Sequence, residues 1–445
     1  MRTLLPSPLR SPVSPSGRLT LSRRELIAAG STLGLGALGA GALGLTPRPA
    51  RAAAPSDLKF VFVFNTGGWD PTRVFVDAFD NRSVAMEPGA SRATTRGLPW
   101  VDHPGRPAVR TFIEANAADM LVINGLQVRS IAHEICTMIA LTGDTSGFKP
   151  DFATIIANDQ ASRFTLPHLV LGGPSFTGAL GTAVARTGSN GQLEGLLSGE
   201  IVGYSDSFTA QLPTTSLSSI DRFLSRRAGA RALQGRSAAD RELAASLMAA
   251  HDKAVDLRGY RYVMDFTTDG TIESQAAVAV DALSVGLSRC VSLSFPNSGG
   301  LSWDSHGDND TTQSALFEGL FGGLSALMAL LRSTPGTSAT TLAEETVVVV
   351  QSEMGRTPNL NPANGKDHWP YTSMMLLGPG LTTNRVVGAL NSGYVGELID
   401  LDTAEADPGG RTLSAESIGA ALLAMADIDP ALHVDGADPL LGVLA

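Results

Sequence analysis

Leu58-Lys59-Phe60-Val61-Phe62-Val63-Phe64-Asn65-Thr66-Gly67-Gly68-Trp69-Asp70 passes from an apolar run into a glycine-rich polar turn. A continuous Val/Phe run ended by turn residues predicts a strand buried on both faces. Five more runs repeat the pattern, at residues 120–123, 169–171, 291–295, 347–350 and 374–377. Helical periodicity fills the gaps between them. Leu316, Phe317, Leu320, Phe321, Leu324, Leu327, Met328 and Leu331 recur at i, i+3, i+4 spacing, the apolar stripe of a core helix. Shorter helical patterns cover 107–118, 131–141, 152–157, 272–287 and 415–426. Strands alternating with helices predict an α/β fold of three layers, a mainly parallel central sheet with helices on both faces. Residues 178–265 break the rhythm: a Gly/Ser/Thr-rich opening precedes two charged helical segments, 220–233 and 238–257. They are expected to form a helical insertion over the sheet.

The amino terminus reads as an address. Ser22-Arg23-Arg24-Glu25-Leu26-Ile27 leads into a weakly apolar run, 26–45, diluted by six glycines, and then into Ala50-Arg51-Ala52-Ala53-Ala54. Paired arginines, modest hydrophobicity and a small-residue cleavage site predict a twin-arginine signal peptide over 1–54. The domain proper is then 55–445. The expected partner is the Tat export machinery and the destination the periplasm or the extracellular space. Glycines at this density make a poor apolar span, so no stable membrane anchor is expected after cleavage. Gly34, Gly36 and Gly39 match G-x-G-x-x-G, but no strand precedes them and a dinucleotide site is not implied.

Composition removes other classes. The 445 residues carry a net charge of −10, which argues against a nucleic-acid binder needing a basic stripe. With 43% hydrophobic and 17% charged residues the chain has material for a large core and is not of disordered composition. Two cysteines, Cys136 and Cys290, exclude a disulfide-dense scaffold or a cysteine zinc cluster and read as small buried hydrophobes.

Polar clusters follow the strand ends, where open parallel sheets bind ligands. Asn65 to Asp70 follows the first run. Trp303-Asp304-Ser305-His306 follows 291–295, and Ser352-Glu353-Met354-Gly355-Arg356-Thr357 follows 347–350. Gly365-Lys366-Asp367-His368-Trp369-Pro370 precedes 374–377, and Ser130-Ile131-Ala132-His133-Glu134 opens a helix. Carboxylates and imidazoles converging on one sheet edge suit a hard or borderline divalent metal, with zinc, calcium and magnesium all open. Asp304 and His306, two apart, fall on one side of an extended segment. The planar fork of Arg356 suits an anionic ester or a salt bridge to a nearby carboxylate. Trp69, Trp303 and Trp369 adjoin candidate ligands and read as pocket walls or as core aromatics. Other motifs fail: His133-Glu134 lacks the second histidine of H-E-x-x-H, position 137 being Thr, and no G-x-S-x-G elbow occurs.

These motifs resemble the exported domain-of-unknown-function family 1501, a sulfatase-like branch of the alkaline phosphatase superfamily. The likeness lies in Gly67-Gly68-x-Asp70, the His133-to-Gly143 helix, Trp303-Asp304-x-His306, Ser352 to Pro358 and Asp367 to Pro370. It implies an alkaline phosphatase-like fold and a metal-dependent hydrolase of small anionic phosphate or sulfate esters, with two divalent ions clamping the ester. Asp70 and Glu353 would serve the first ion, and Asp304, His306 and His368 the second. Three features depart from that pattern. His133 stands where a Ser or Thr nucleophile is usual, Glu353-Met354 replaces Asp-His, and Asp304 and His306 are two rather than four apart. His133 is left as metal ligand, nucleophile or general base, with ligand preferred. The alternative is a non-catalytic periplasmic binding or assembly protein on a degenerate hydrolase fold.

Overall fold

A computed structural model describes residues 53–445 except 188–192, 194–199, 203–208, 212, 213, 236, 261, 267 and 296. All but the last two residues of the expected signal peptide lie outside the described residues.

Eight strands form the central sheet: β1 (Lys59–Asn65), β2 (Met120–Gln127), β3 (His168–Val170), β4 (Val184–Arg186), β5 (Cys290–Ser294), β6 (Thr346–Ser352), β7 (Tyr371–Leu377) and β8 (Arg385–Val387). Their order is β8-β2-β7-β6-β1-β5-β3-β4. All run parallel except β7, which is antiparallel to both neighbours. The link from β6 to β7 contains no helix, so the chain turns back at the same edge instead of crossing over a face. That reversal brings Asp367 and His368, just before β7, to the edge where β1, β5 and β6 end.

Side-chain alternation assigns the two faces. Val61, Val63, Val291, Leu293, Val348, Val350, Met375 and Leu377 share one buried cluster. It is covered by α1 (Pro107–Asn116), α6 (Ile272–Ser284) and α7 (Asn309–Ser333). Phe60, Phe62, Cys290, Val347, Val349, Met374 and Leu376 face the other way, under α3 (Phe152–Asp159) and α8 (Ala415–Met425). α2 (His133–Thr142) packs on α8. Each fully buried Val or Phe on these faces contributes roughly 1.5–3 kcal/mol, which fixes the register, because a one-residue slip would exchange the faces. The α/β fold of three layers is thus present.

The 178–265 segment differs from expectation. It includes the edge strand β4 and a short hairpin, Glu200–Val202 with Thr209–Gln211, before its helices α4 (Thr214–Gln234) and α5 (Ala238–Tyr260). The helical insertion therefore begins after the sheet has gained a strand. Three-residue strands such as β4 and β8 are too short to show a period.

Candidate metal centre

The Trp303-to-His306 loop is held from below. Trp303 is fully buried, donates Nε1–H to the Phe295 carbonyl at 2.8 Å and stands edge-on to Phe317. Trp69 is equally buried against Phe75 and Phe317, so both tryptophans are core aromatics. With Trp303 anchored, two tight backbone turns follow, Ser305 N–H to Trp303 O at 2.9 Å and His306 N–H to Asp304 O at 3.2 Å. They aim Asp304 and His306 outward and bury Ser305 between them. Gly67 lies against this loop at φ 126°, and a Cβ there would meet Asp304 N and Trp303 Cβ at 2.8 Å. Across the gap, Gly355–Arg356 pairs antiparallel with His368–Trp369, which places Arg356 opposite His368.

Four predicted residues meet. His368 Nε2 lies 3.0 Å from Asp304 Oδ1 and 3.0 Å from His306 Nε2, and His306 Nε2 lies 3.1 Å from Asp304 Oδ1. His133 Nε2 lies 3.5 Å from Asp304 Oδ2. The rings of His133 and His306 sit 4.4 Å and 4.7 Å from that of His368. The group whose ligand atoms all lie within 4.8 Å of one another, and which could hold a metal ion, is His133, Asp304 and His368, with His306 beside it. Side-chain exposures of 35% for Asp304 and 47% for His306 leave the cluster open to solvent on one side.

Each imidazole is held by its other nitrogen. His133 Nδ1 faces Glu353 Oε1 at 2.7 Å, His306 Nδ1 faces Asp367 Oδ1 at 2.9 Å, and His368 Nδ1 faces the Ile131 carbonyl at 2.6 Å. Carboxylates and carbonyls only accept, so each Nδ1 carries the proton in the neutral ring and each Nε2 presents a lone pair. Three lone pairs and a carboxylate then point at one another. Among the described residues the buried His133 Nε2 has no hydrogen-bond partner. Such a set repels itself until a cation joins it. Ligand atoms around a tetrahedral zinc-type ion stand about 3.3 Å apart, given bonds of about 2.0–2.1 Å. His133 and His368 lie 3.5 Å and 3.0 Å from the Asp304 carboxylate, on either side of that value, and an imidazole backed by a carboxylate or carbonyl is the usual arrangement of a metal-binding histidine. The residues fit the ion.

The remaining predicted residues do other work. Glu353 is fully buried: Oε1 accepts from Gly67 N–H at 2.7 Å and from His133, and Oε2 accepts from Gly68 N–H at 3.3 Å and Ser352 Oγ–H at 2.9 Å. It orients His133, and this hydrogen bond raises the imidazole pKa against the opposing effect of burial. Arg356 is also fully buried. Its guanidinium donates to the Gly67, Gly68 and Lys366 carbonyls and, at 2.7 Å, to Asp304 Oδ1. It pins Asp304 through the salt bridge to a nearby carboxylate that the sequence left open. Partial burial opposes ionisation of Asp304, but the hydrogen bond and positive charge of Arg356 lead the effects that outweigh it and bring its pKa to about 2.

Asp70 departs from its expected role on a first ion. It is fully buried, and Oδ1 accepts from the Thr72 amide and hydroxyl. Oδ2 accepts from Arg73 Nε at 3.0 Å, Asn309 Nδ2 at 2.9 Å and Lys366 Nζ at 2.8 Å. Burial alone would raise its pKa; Lys366 and Arg73 hold it far below the carboxylate range. Ser130 Oγ accepts from the Ala132 amide at 3.1 Å, in the turn that starts α2. Cys136 and Cys290 are buried, and burial pushes the Cys136 thiol up to about 11. Sequence reading passed over Lys366 and Asp367 as partners, although both stand beside His368.

The chain matches the family model described as Protein of unknown function (DUF1501) over residues 109–395. A comparison with curated proteins finds no match. Among solved structures it is similar to Ps i-CgsB in complex with k-i-k-neocarrahexaose, at 9% identity over 86% of this chain and 75% of that one, TM-score 0.39. It is also similar to a Bacteroides thetaiotaomicron protein described under the metabolism of multiple glycosaminoglycans, at 10% identity over 84% and 74%, TM-score 0.36. Likenesses this loose bear on neither site nor activity.

Proposed function

The chain belongs to the family of proteins of unknown function DUF1501, and we propose that it is an exported, metal-dependent hydrolase of small phosphate or sulfate esters. Export by the twin-arginine route to the periplasm or beyond is part of the proposal. The observation that carries it is the convergence of three imidazole Nε2 atoms on the Asp304 carboxylate, each ring fixed through Nδ1.

His133, Asp304 and His368 would hold the ion, three protein ligands that leave a position open for substrate or water, with His306 beside them. Two imidazoles and one carboxylate favour a borderline first-row cation such as zinc over calcium or magnesium, which prefer all-oxygen shells. Once bound, a divalent ion supplies Lewis-acid polarisation of the ester oxygen and of the attacking water. The chain's own residues set the geometry. Glu353, Asp367 and the Ile131 carbonyl keep the rings in the binding tautomer. Arg356 keeps Asp304 ionised and stationary. The open side of the cluster admits ester and water together. Hydrolysis forms a bond from water oxygen to sulfur or phosphorus, breaks the bond to the ester oxygen, and releases an alcohol carrying a proton from the water.

A second reading, a non-catalytic binding protein, is favoured by one observation: four of the five Arg356 N–H groups go to carbonyls and to Asp304. Metal analysis of purified protein together with assays on aryl sulfate and aryl phosphate separates the two. Metal with turnover that His368→Ala abolishes is the expected result. Metal without turnover selects the binding protein, and metal-free, inactive protein removes the hydrolase reading.

A further inference from the structure

The helical insertion carries a basic element in an acidic chain. α4 holds four arginines, Arg222, Arg226, Arg227 and Arg231, against a single acid, Asp221, while the whole chain has a net charge of −10. Asp221 is turned inward: Arg258 of α5 donates to its Oδ2 at 2.5 Å. Ser225, one turn on, lies 3.2 Å from His251 Nδ1 of α5, and Ala228, a turn further, is buried. Positions 221, 225 and 228 therefore form the face that packs on α5. The four arginines are left on the exposed sides of the helix.

The exposed surface of α4 is apolar as well as basic. Ile220, Phe223, Leu224, Arg227 and Arg231 recur at helical spacing and form one stripe along α4. All five are exposed, Phe223 by 54%. The Arg227 guanidinium lies 5.9 Å from the Phe223 ring centroid, so charge and aromatic ring belong to one patch. On α5, Leu243 and Leu247 are exposed too, Leu243 by 72%. The hairpin is rooted at the far end of α5, where Leu257 is buried in the cluster that α1, α6 and α7 cover. Leu243 lies about 21 Å along the helix axis from Leu257, so this apolar end stands clear of the root.

We propose that the α4–α5 hairpin docks the protein on an anionic lipid bilayer, with Ile220, Phe223 and Leu224 entering the headgroup boundary and the arginines of α4 on lipid phosphates. A bilayer interface takes aliphatic and aromatic groups at the acyl boundary and guanidinium groups at the phosphates above them, so it uses the whole stripe. A soluble polyanion would engage the arginines and leave three large apolar side chains in water. A second copy of the chain, in a two-fold contact centred on the stripe, would set the arginines of α4 against their own copies. The acidic remainder of the chain is repelled by the same lipid surface, which limits contact to the hairpin and sets the orientation. The result is a reversible surface contact and not an anchor.

A probe local to α4 tests the docking. Cys136 and Cys290 are buried, so in the full chain the thiol of Ile220→Cys takes a nitrobenzoxadiazole label alone. Vesicles of three parts phosphatidylglycerol to seven of phosphatidylcholine should brighten the label about twofold or more at low salt, and phosphatidylcholine alone should not. Adding Arg227→Glu with Arg231→Glu, or Phe223→Ser, should weaken partition about tenfold or more. The melting temperature should not move, since these side chains are exposed. Equal brightening on both vesicles, an unchanged label, or partition that the added substitutions leave intact overturns the proposal. Brightening without vesicles, with the mass in solution doubled, gives the stripe to a second copy and overturns it as well. Neither metal nor ester enters these readouts, so the hydrolase reading is decided separately.

Discussion

His133 owes its role to what holds its other nitrogen. Without the Glu353 carboxylate at 2.7 Å the ring could rotate or change tautomer, and its Nε2 would no longer present a lone pair to the cluster. Glu353→Gln is expected to weaken metal binding about 10–100-fold, as losses of such backing groups do; competition with a chelator measures it, and an unchanged affinity would detach Glu353 from the centre. A second buried carboxylate serves stability alone. Glu345 accepts from Lys59, Thr337, Ser338 and Ala339. Burial would raise its pKa, but these partners lower it from 4.5 to about 2. Its contribution is complete above the unfolded value and lost as pH falls through the folded one. Glu345→Gln should therefore cost about 2–4 kcal/mol at pH 7. The difference in melting temperature from the unaltered protein should close between pH 4.5 and 2. Much of the cluster was legible residue by residue, because Asp304 and His306 share one turn and Glu353 and His368 flank strands. The fate of Asp70 was not: its partner Lys366 arrives from a distant loop, and nothing near Asp70 in sequence announces an ammonium.

The link from β6 to β7 decides the site at the level of elements. Because it carries no crossover helix, β7 runs backward and delivers His368 to the edge where β1, β5 and β6 end. The run at 374–377 showed a strand, but direction is a property of the connection and not of the run. The packing of α7 on α6 is equally specific. A Cβ on Gly323 would fall 1.8 Å from Ile272 Cγ2, so Gly323→Ala must push the helices apart. Overpacking of this kind costs about 1–3 kcal/mol. Thermal melting should show that loss with zinc stoichiometry unchanged, since α6 and α7 cover a face of the sheet and contribute no ligand. The long stripe of α7 was readable from eight apolar positions. The edge strands β4 and β8 hold three residues each and were not.

Taken as a whole, the molecule uses a layered core to hold polar groups of like character against one another at one sheet edge. Buried carboxylates there are matched by buried cations, and His133, Asp304 and His368 are left as a group that could hold a metal ion. The acidic net charge was legible in composition; the matching of charges emerges only when loops far apart in sequence meet. The most direct test is crystallography of the purified protein with diffraction recorded on both sides of the zinc absorption edge. An anomalous peak bonded to His133 Nε2, Asp304 and His368 Nε2 is the result expected. Zinc-saturated crystals with no peak there, or with the peak on Asp70 in place of these three, would contradict the account.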